Sequence, residues 1–304
     1  MDATTRALFR VAHADGSNET AISVLDGYLL TGAQHTKSVR KTRVFHPSSL
    51  GTPCDRALQL EYLGAGVVKS NPPPKLQITF SLGAEVHGLL QEWLGRSGRL
   101  YGNWRCKDCR EVRELCSIPD RDGCSRGDDD LGLHRWKFME VPALDGESHL
   151  AGTSDGLLLL YKGGHPKFFV LEAKSTNKKQ FDRRKKEGPD ASHVLQCLAY
   201  MYCLGYDDGI VLYLCKDDSE RLEFYVTWDG KFPESEETCR EVWQQQLDRL
   251  REIREAIDER RLLSRHEDSR NFGVCMNCSL KEVCWGTNRF AAIEETAATG
   301  RIHR

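Results

Sequence analysis

FFVLEAKST, residues 168–176, is the stretch on which the fold turns. Phe168 to Leu171 are apolar in the manner of a buried strand, and then Glu172 and Lys174 appear one residue apart. Alternate side chains of a strand share a face, so the carboxylate and the ammonium point the same way and Ala173 points the other. The Ala173 carbonyl lies within reach of the same group.

Upstream, KGGHP at 162–166 reads as a hairpin turn between strand-like runs Leu150–Tyr161 and Lys167–Ala173. AGTSDG at 151–156 places Asp155 on the preceding strand. Antiparallel pairing across the turn brings Asp155 toward Glu172. Two converging carboxylates repel unless a cation lies between them. Oxygen ligands of this kind select a hard divalent ion, Mg²⁺ or Mn²⁺. A lysine beside such an ion orients a water nucleophile and stabilises charge developing on a phosphate. The plain alternative is a surface Glu–Lys pair, which is common and worth little; only the surrounding pattern tells against it.

Further out, ITFSLGAEVHGLLQEWL at 78–94 reads as an amphipathic helix carrying Leu82, Val86, Leu89, Leu90 and Trp93, after a turn at NPPPK. Trp136–Val141 is another strand. KKQFDRRKKEG at 178–188 reads as a basic loop, followed by a helix over Ala191–Leu204 and strands over Ile210–Lys216 and Leu222–Trp228. A long polar helix, charged on most faces, runs from Pro233 to about Leu263. Helix, three strands, helix and two strands give an α/β domain with a small mixed sheet flanked by helices. GAGVVKS at 64–70 lacks the glycine directly before the lysine that a phosphate-cradling loop needs.

The 304 residues are 39% hydrophobic and 29% charged with a formal net charge of −2, so no global basic field marks a nucleic-acid partner. The longest apolar run, Leu157–Tyr161, is too short to cross a bilayer, and MDATTRALFR lacks the apolar core of a secretory signal. The expectation is a cytoplasmic protein with no membrane association. Twelve cysteines in a reducing compartment point to metal ligands rather than disulfides. Cys106, Cys109, Cys116 and Cys124 form a compact group in a charged segment poor in core residues, which a structural Zn²⁺ would order, with His134 as a substitute ligand. Cys275, Cys278 and Cys284 form a second group that needs a fourth ligand, and four thiolates serve either zinc or an iron–sulfur cluster. Cys197, Cys203, Cys215 and Cys239 read as ordinary core or half-buried residues.

Asp155, a hairpin and Glu172-Ala173-Lys174 resemble the PD-(D/E)XK nuclease motif, with GTSD in the form common to RecB-type nucleases. Gln196 and Tyr200 in QCLAY match the Gln-x-x-x-Tyr motif of that branch, and LGAEVHGLLQ matches the upstream helix whose histidine, here His87, is a metal ligand. Cys54 with Cys275, Cys278 and Cys284 is similar to the split set that holds a 4Fe–4S cluster in the AddB nuclease domain and in CRISPR-associated exonucleases. The ordered elements span residues 54 to 284, most of the chain. The resemblance implies a restriction-endonuclease-like core in which Mg²⁺ or Mn²⁺ binds His87, Asp155, Glu172 and the Ala173 carbonyl. It assigns Lys174 to the attacking water, Gln196 and Tyr200 to the neighbourhood of DNA and the active site, among the catalytic residues, and the cluster to a clasp between the chain ends. The compact cysteine group departs from the minimal pattern.

The implied organisation is an extension over 1–45, a nuclease domain over 46–100 and 134–290, a Cys₄ insertion over 101–133 and a tail over 291–304. The implied activity is metal-dependent hydrolysis of DNA, as an exonuclease acting on free ends or single strands in recombination, repair or replication; a phage origin suits so compact an enzyme. Lys178, Lys179, Arg183 and Arg184 follow the catalytic strand and suit phosphate contact, and Phe181 among them suits stacking on a base. No helicase motor is encoded, so processivity calls for a recombination or replication partner, a ring-shaped oligomer or a closed channel; oligomeric state is left open. The rival readings are a non-catalytic nucleic-acid-binding module and an RNA nuclease.

Overall fold

In a computed structural model of the protein, residues 41–65, 74–107, 109–119 and 136–299 are described. Cys124 and His134 lie outside them. The chain divides into two compact units, residues 1–40 with 69–82 and residues 41–68 with 83–304. Of the first, residues 74–82 are described, as the opening turns of a helix.

In the second unit FFVLEAKST, residues 168–176, lies at the centre of the sheet. β7 (His165–Thr176) pairs antiparallel with β6 (Leu157–Lys162), Leu157 facing Val170 and Lys162 facing His165, so KGGHP is the hairpin turn it reads as. On its other side β7 pairs parallel with β8 (Asp208–Cys215), which pairs antiparallel with β9 (Arg221–Thr227). β1 (Leu100–Cys106) joins β6 and carries β2 (Val112–Cys116) and β3 (Trp136–Met139). Among the described residues the sheet has seven strands in the order β2-β1-β6-β7-β8-β9, with β3 alongside β1, and β4 (Val141–Asp145) and β5 (Leu150–Ser154) form a separate pair. Helices flank this mixed sheet in the manner of a restriction-endonuclease-like core.

Among the described residues the α-helices, in chain order, are α1 (Asp55–Tyr62), α2 (Pro74–Arg96), α3 (Lys178–Glu187), α4 (Ala191–Leu204), α5 (Cys239–Asp258), α6 (Gly273–Met276), α7 (Lys281–Gly286) and α8 (Phe290–Thr299). The parallel β7–β8 pair requires a crossover, supplied by α3 and α4. α4 starts where its N-cap Asp190 accepts from Ser192 N and ends at Gly205 in a left-handed conformation. It lays Val194, Cys197, Leu198 and Met201 into the main core with Val170, Val211 and Tyr213. Gly209 permits that approach: a Cβ there would sit 2.5 Å from Cys197 Sγ and 2.9 Å from Met201 Sδ.

Several sequence expectations change. Residues 178–187 are a helix, not a basic loop: Asn177 caps it by accepting from Gln180 N, and Phe181 and Arg184 face inward. Phe181 is buried in the main core, where it cannot stack on a base. The run Leu150–Tyr161 is two strands in two sheets, broken at Asp155-Gly156, where Gly156 has φ of +130°. A Cβ at Gly156 would meet Leu100 Cδ1 at 2.6 Å. α5 starts later than Pro233, at a capping box between Thr238 and Glu241, and buries a stripe of Trp243, Leu250, Ile253 and Ile257. The segment with Cys106, Cys109 and Cys116 has a small core after all, built by Trp104, Cys106 and Trp136.

Candidate active site

The break at Asp155-Gly156 places the first carboxylate. Leu171 N donates to Gly156 O at 2.9 Å, and Ala173 N donates to Asp155 Oδ2 at 2.6 Å. Asp155 therefore sits just beyond β5, in the link to β6, and is pinned to the strand that carries Glu172. Glu172 is 1% exposed. Its Oε1 lies 2.5 Å from Lys174 Nζ, while its Oε2 is buried with no hydrogen-bond partner among the described residues. Burial pushes the Glu172 carboxyl up to about 8, the Asp155 charge adds to the rise and Lys174 opposes it.

His87 comes from α2, Nε2 at 2.8 Å from Asp155 Oδ1. That hydrogen bond is the largest influence holding the imidazole above its ordinary value, against the opposing effect of burial. α4 supplies the other wall. Lys174 Nζ donates to Gln196 Oε1 at 3.1 Å, and Gln196 Nε2 donates to the Tyr200 hydroxyl at 3.1 Å. The lysine is thus held between a carboxylate and an amide, with Gln196 and Tyr200 one helical turn apart. Burial, then the Glu172 charge, raises the Tyr200 hydroxyl above its ordinary value, so it stays protonated. Together these side chains line an open cleft of about 350 Å³ with Ser48, Gly83, Glu140, Ala173 and Ser175.

Glu140, between β3 and β4, went unrecognised in the sequence. Ligand atoms of His87, Glu140 and Asp155 lie within 4.8 Å of one another. Thr153 of the GTSD motif donates its hydroxyl to Glu140 Oε2. Burial and the Asp155 charge raise this carboxyl, and the Thr153 hydrogen bond opposes them. The signal was present in FMEVPAL, a lone acid inside an apolar run like Glu172, without a second charged residue to draw notice. Three acids and a histidine around an unpartnered buried oxygen fit a hard divalent cation.

The structure also brings the split cysteines together. Cys54, Cys275, Cys278 and Cys284 line one pocket with Arg265 and Trp285. Helix α1 ties these chain regions: Gln59 Nε2 donates to Arg261 O at 2.7 Å, and Leu263 N donates to Gln59 Oε1 at 2.9 Å. Cys106 is buried, and Cys109 and Cys116 are half-buried beside it. Cys197, Cys215 and Cys239 are buried and Cys203 is half-buried.

The basic residues of α3 are unequally available. Lys178 pairs with Asp182 at 3.0 Å and Asp218 at 2.9 Å, and buried Arg184 pairs with Asp190. Lys179 and Arg183 are exposed, Arg183 lying 3.7 Å from both Glu187 and Asp190.

No family model matches the chain, and no curated protein matches it in sequence. Among solved structures, the protein SSO0001 is similar over 88% of this chain and 98% of its own, at 14% identity and a TM-score of 0.43. An alkaline exonuclease from Laribacter hongkongensis is similar over 78% of this chain and 95% of its own, at 12% identity and a TM-score of 0.37. Its complex with dAMP is similar over 71% and 91%, again at 12% and 0.37. The chemistry of the cleft, rather than these distant similarities, bears on activity. No helix among the described residues is long and apolar enough to cross a membrane.

Proposed function

We propose that the protein is a Mg²⁺- or Mn²⁺-dependent deoxyribonuclease of the RecB-type PD-(D/E)XK group, acting as an exonuclease in recombination, repair or replication. One observation carries the reading. Glu172 is buried beside Asp155 with one oxygen unpartnered and the other against Lys174, at the floor of an open cleft. A buried carboxylate in that state is costly unless a cation completes it.

His87, Glu140, Asp155 and Glu172, with the Ala173 carbonyl, would hold the metal. Bound there, it supplies Lewis-acid activation of phosphate and of water. Lys174, fixed by Glu172 and Gln196, orients the attacking water and offers positive charge to the phosphate under attack. Gln196 and Tyr200 keep the lysine aimed, and exposed Lys179 and Arg183 offer phosphate contacts along the strand's approach.

Cys54, Cys275, Cys278 and Cys284 suit a 4Fe–4S cluster that clasps α1 to the C-terminal helices. The wide separation of Cys54 from the other three in the chain, as in the split set they resemble, supports the larger inorganic core over a single zinc. Cys106, Cys109 and Cys116 with Cys124 are proposed as a structural Zn²⁺ site.

The test uses end-labelled linear and circular DNA, single- and double-stranded, beside matched RNA, with Mn²⁺, Mg²⁺ or EDTA. The expected result is metal-dependent loss of linear DNA alone. Cutting of circles would replace the exonuclease reading by an endonuclease, preferential loss of RNA would overturn the substrate, and no cleavage with metal bound would leave a binding module.

A further inference from the structure

Arg56, near the start of α1, is 4% exposed and spans to the C-terminal segment. Its Nη1 donates to Leu263 O at 3.0 Å, and its Nη2 donates to Thr287 O at 3.1 Å, Asn288 Oδ1 at 3.3 Å and Cys284 O at 3.4 Å. Arg265 reaches two of the same acceptors: its Nη2 donates to Cys284 O at 3.0 Å and to Asn288 Oδ1 at 2.6 Å. Its guanidinium lies over the Trp285 ring, 4.3 Å from the centroid. Two guanidinium groups thus converge on one cysteine of the four-thiol pocket.

Among the described residues, neither arginine forms an ion pair with a carboxylate, although other arginines that tie segments together do. Arg249 pairs with Asp55 at 2.6 Å, Arg260 with Glu294 at 2.7 Å, and Arg184 with Asp190. Arg56 Nε is also buried with no partner among the described residues. A desolvated cation beside a second cation is unfavourable unless an anion answers both, and backbone carbonyls supply dipoles but no charge. Glu267 and Asp268 line the neighbouring open cleft without pairing with either arginine. A further source of negative charge is the pocket with Cys54, Cys275, Cys278 and Cys284, whose Cys284 carbonyl both arginines touch. As thiols these four are neutral. As thiolates on Zn²⁺ or on an oxidised [4Fe–4S]²⁺ core they carry net charge −2, which two guanidinium groups balance.

We propose that Arg56 and Arg265 are the counter-charges of a four-thiolate metal centre at Cys54, Cys275, Cys278 and Cys284. The inference rests on the proposed reading of those cysteines as metal ligands. Both arginines are positioning residues. Arg56 holds the Cys284 end of the site against α1, and Arg265 shields its outer side. Removing either positive charge leaves the centre more negative. An iron–sulfur cluster is then harder to reduce and quicker to lose to oxygen, and any bound metal leaves more readily.

The experiment compares anaerobically purified wild type, Arg265→Gln, Arg56→Met and Arg56→Lys for iron, sulfide and zinc content, visible absorption, reduction potential and bleaching rate in air. Circular dichroism checks the fold of each. The expected result is a full cluster in wild type, a full cluster in Arg265→Gln with a lower potential and several-fold faster bleaching, most of the cluster lost in Arg56→Met, and substantial recovery in Arg56→Lys. A purely structural tie through carbonyls would not move the potential of Arg265→Gln. Wild-type potential and bleaching in Arg265→Gln would overturn the inference. Zinc in place of iron would refute the cluster while leaving the arginines testable: faster extraction by a chelator from Arg265→Gln supports their role, and an equal rate overturns it. Neither metal in wild type would overturn both.

Discussion

Replacing Glu172 with glutamine is expected to stabilise the metal-free protein, and increasingly so as pH rises. The folded state holds this carboxyl protonated up to about 8, against an ordinary 4.5, chiefly because it is buried and secondly because Asp155 is its neighbour. Between those two values the folded protein binds a proton that the unfolded chain has released, so stability falls as pH rises through the window. At about 1.4 kcal/mol for each pKa unit, the raised pKa of Glu172 costs about 4 kcal/mol of stability near pH 8 and about 1 kcal/mol near pH 5, where the folded carboxyl is still protonated. Glutamine has a similar shape, still offers Lys174 an acceptor oxygen and carries no charge. Urea unfolding in EDTA, followed by circular dichroism at several pH values, measures the difference between variant and wild type. The account expects that difference to widen by a few kcal/mol from pH 5 to pH 8, and to shrink when Mn²⁺ is added to wild type. A difference that stays constant across the range would refute the claim that a desolvated carboxylate sits in the cleft without its cation.

Glu140→Gln should weaken Mn²⁺ binding at least about tenfold by titration calorimetry, since a ligand should cost no less than the outer-shell partners that orient it; unchanged affinity would remove Glu140 from the site. Phe181→Ala should cost about 3–5 kcal/mol of stability by urea unfolding, because the ring is core and not a stacking platform. A DNA affinity loss without a stability loss would reverse that assignment. Gly209→Ala should destabilise by about 1–3 kcal/mol and slow cleavage, since the new methyl would press on Cys197 and Met201 and push α4, with Gln196, away from β7; full stability and activity would contradict the packing described.

How much was legible in the sequence depended on whether the decisive contact was local. α4 is visible end to end because Asp190 and Gly205 mark it, and the β6–β7 hairpin is visible because two glycines sit between strand-like runs. α3 escaped notice because one apolar residue, Phe181, gives no periodicity; its Asn177 cap was the available signal. The split of residues 150–161 between two sheets depends on a positive φ at Gly156, which composition does not reveal. Asp155, Glu172 and Lys174 were found together because strand alternation and one hairpin bring them close. Glu140 was missed because its place in the cleft is set by β4 pairing with β5, with Val141 opposite Ser154, a register that no local pattern announces.

The central claim is that Lys174, held between Glu172 and Gln196, works at a metal-loaded cleft to hydrolyse DNA. The direct measurement is single-turnover degradation of end-labelled linear DNA by wild type and Lys174→Ala with Mn²⁺, with circular dichroism and Mn²⁺ titration confirming that the variant is folded and loaded. The account predicts a rate loss on the order of 10³-fold in the variant, within the range for a positioned proton-transfer or electrostatic group. A folded, metal-loaded Lys174→Ala protein that degrades DNA at the wild-type rate would contradict it.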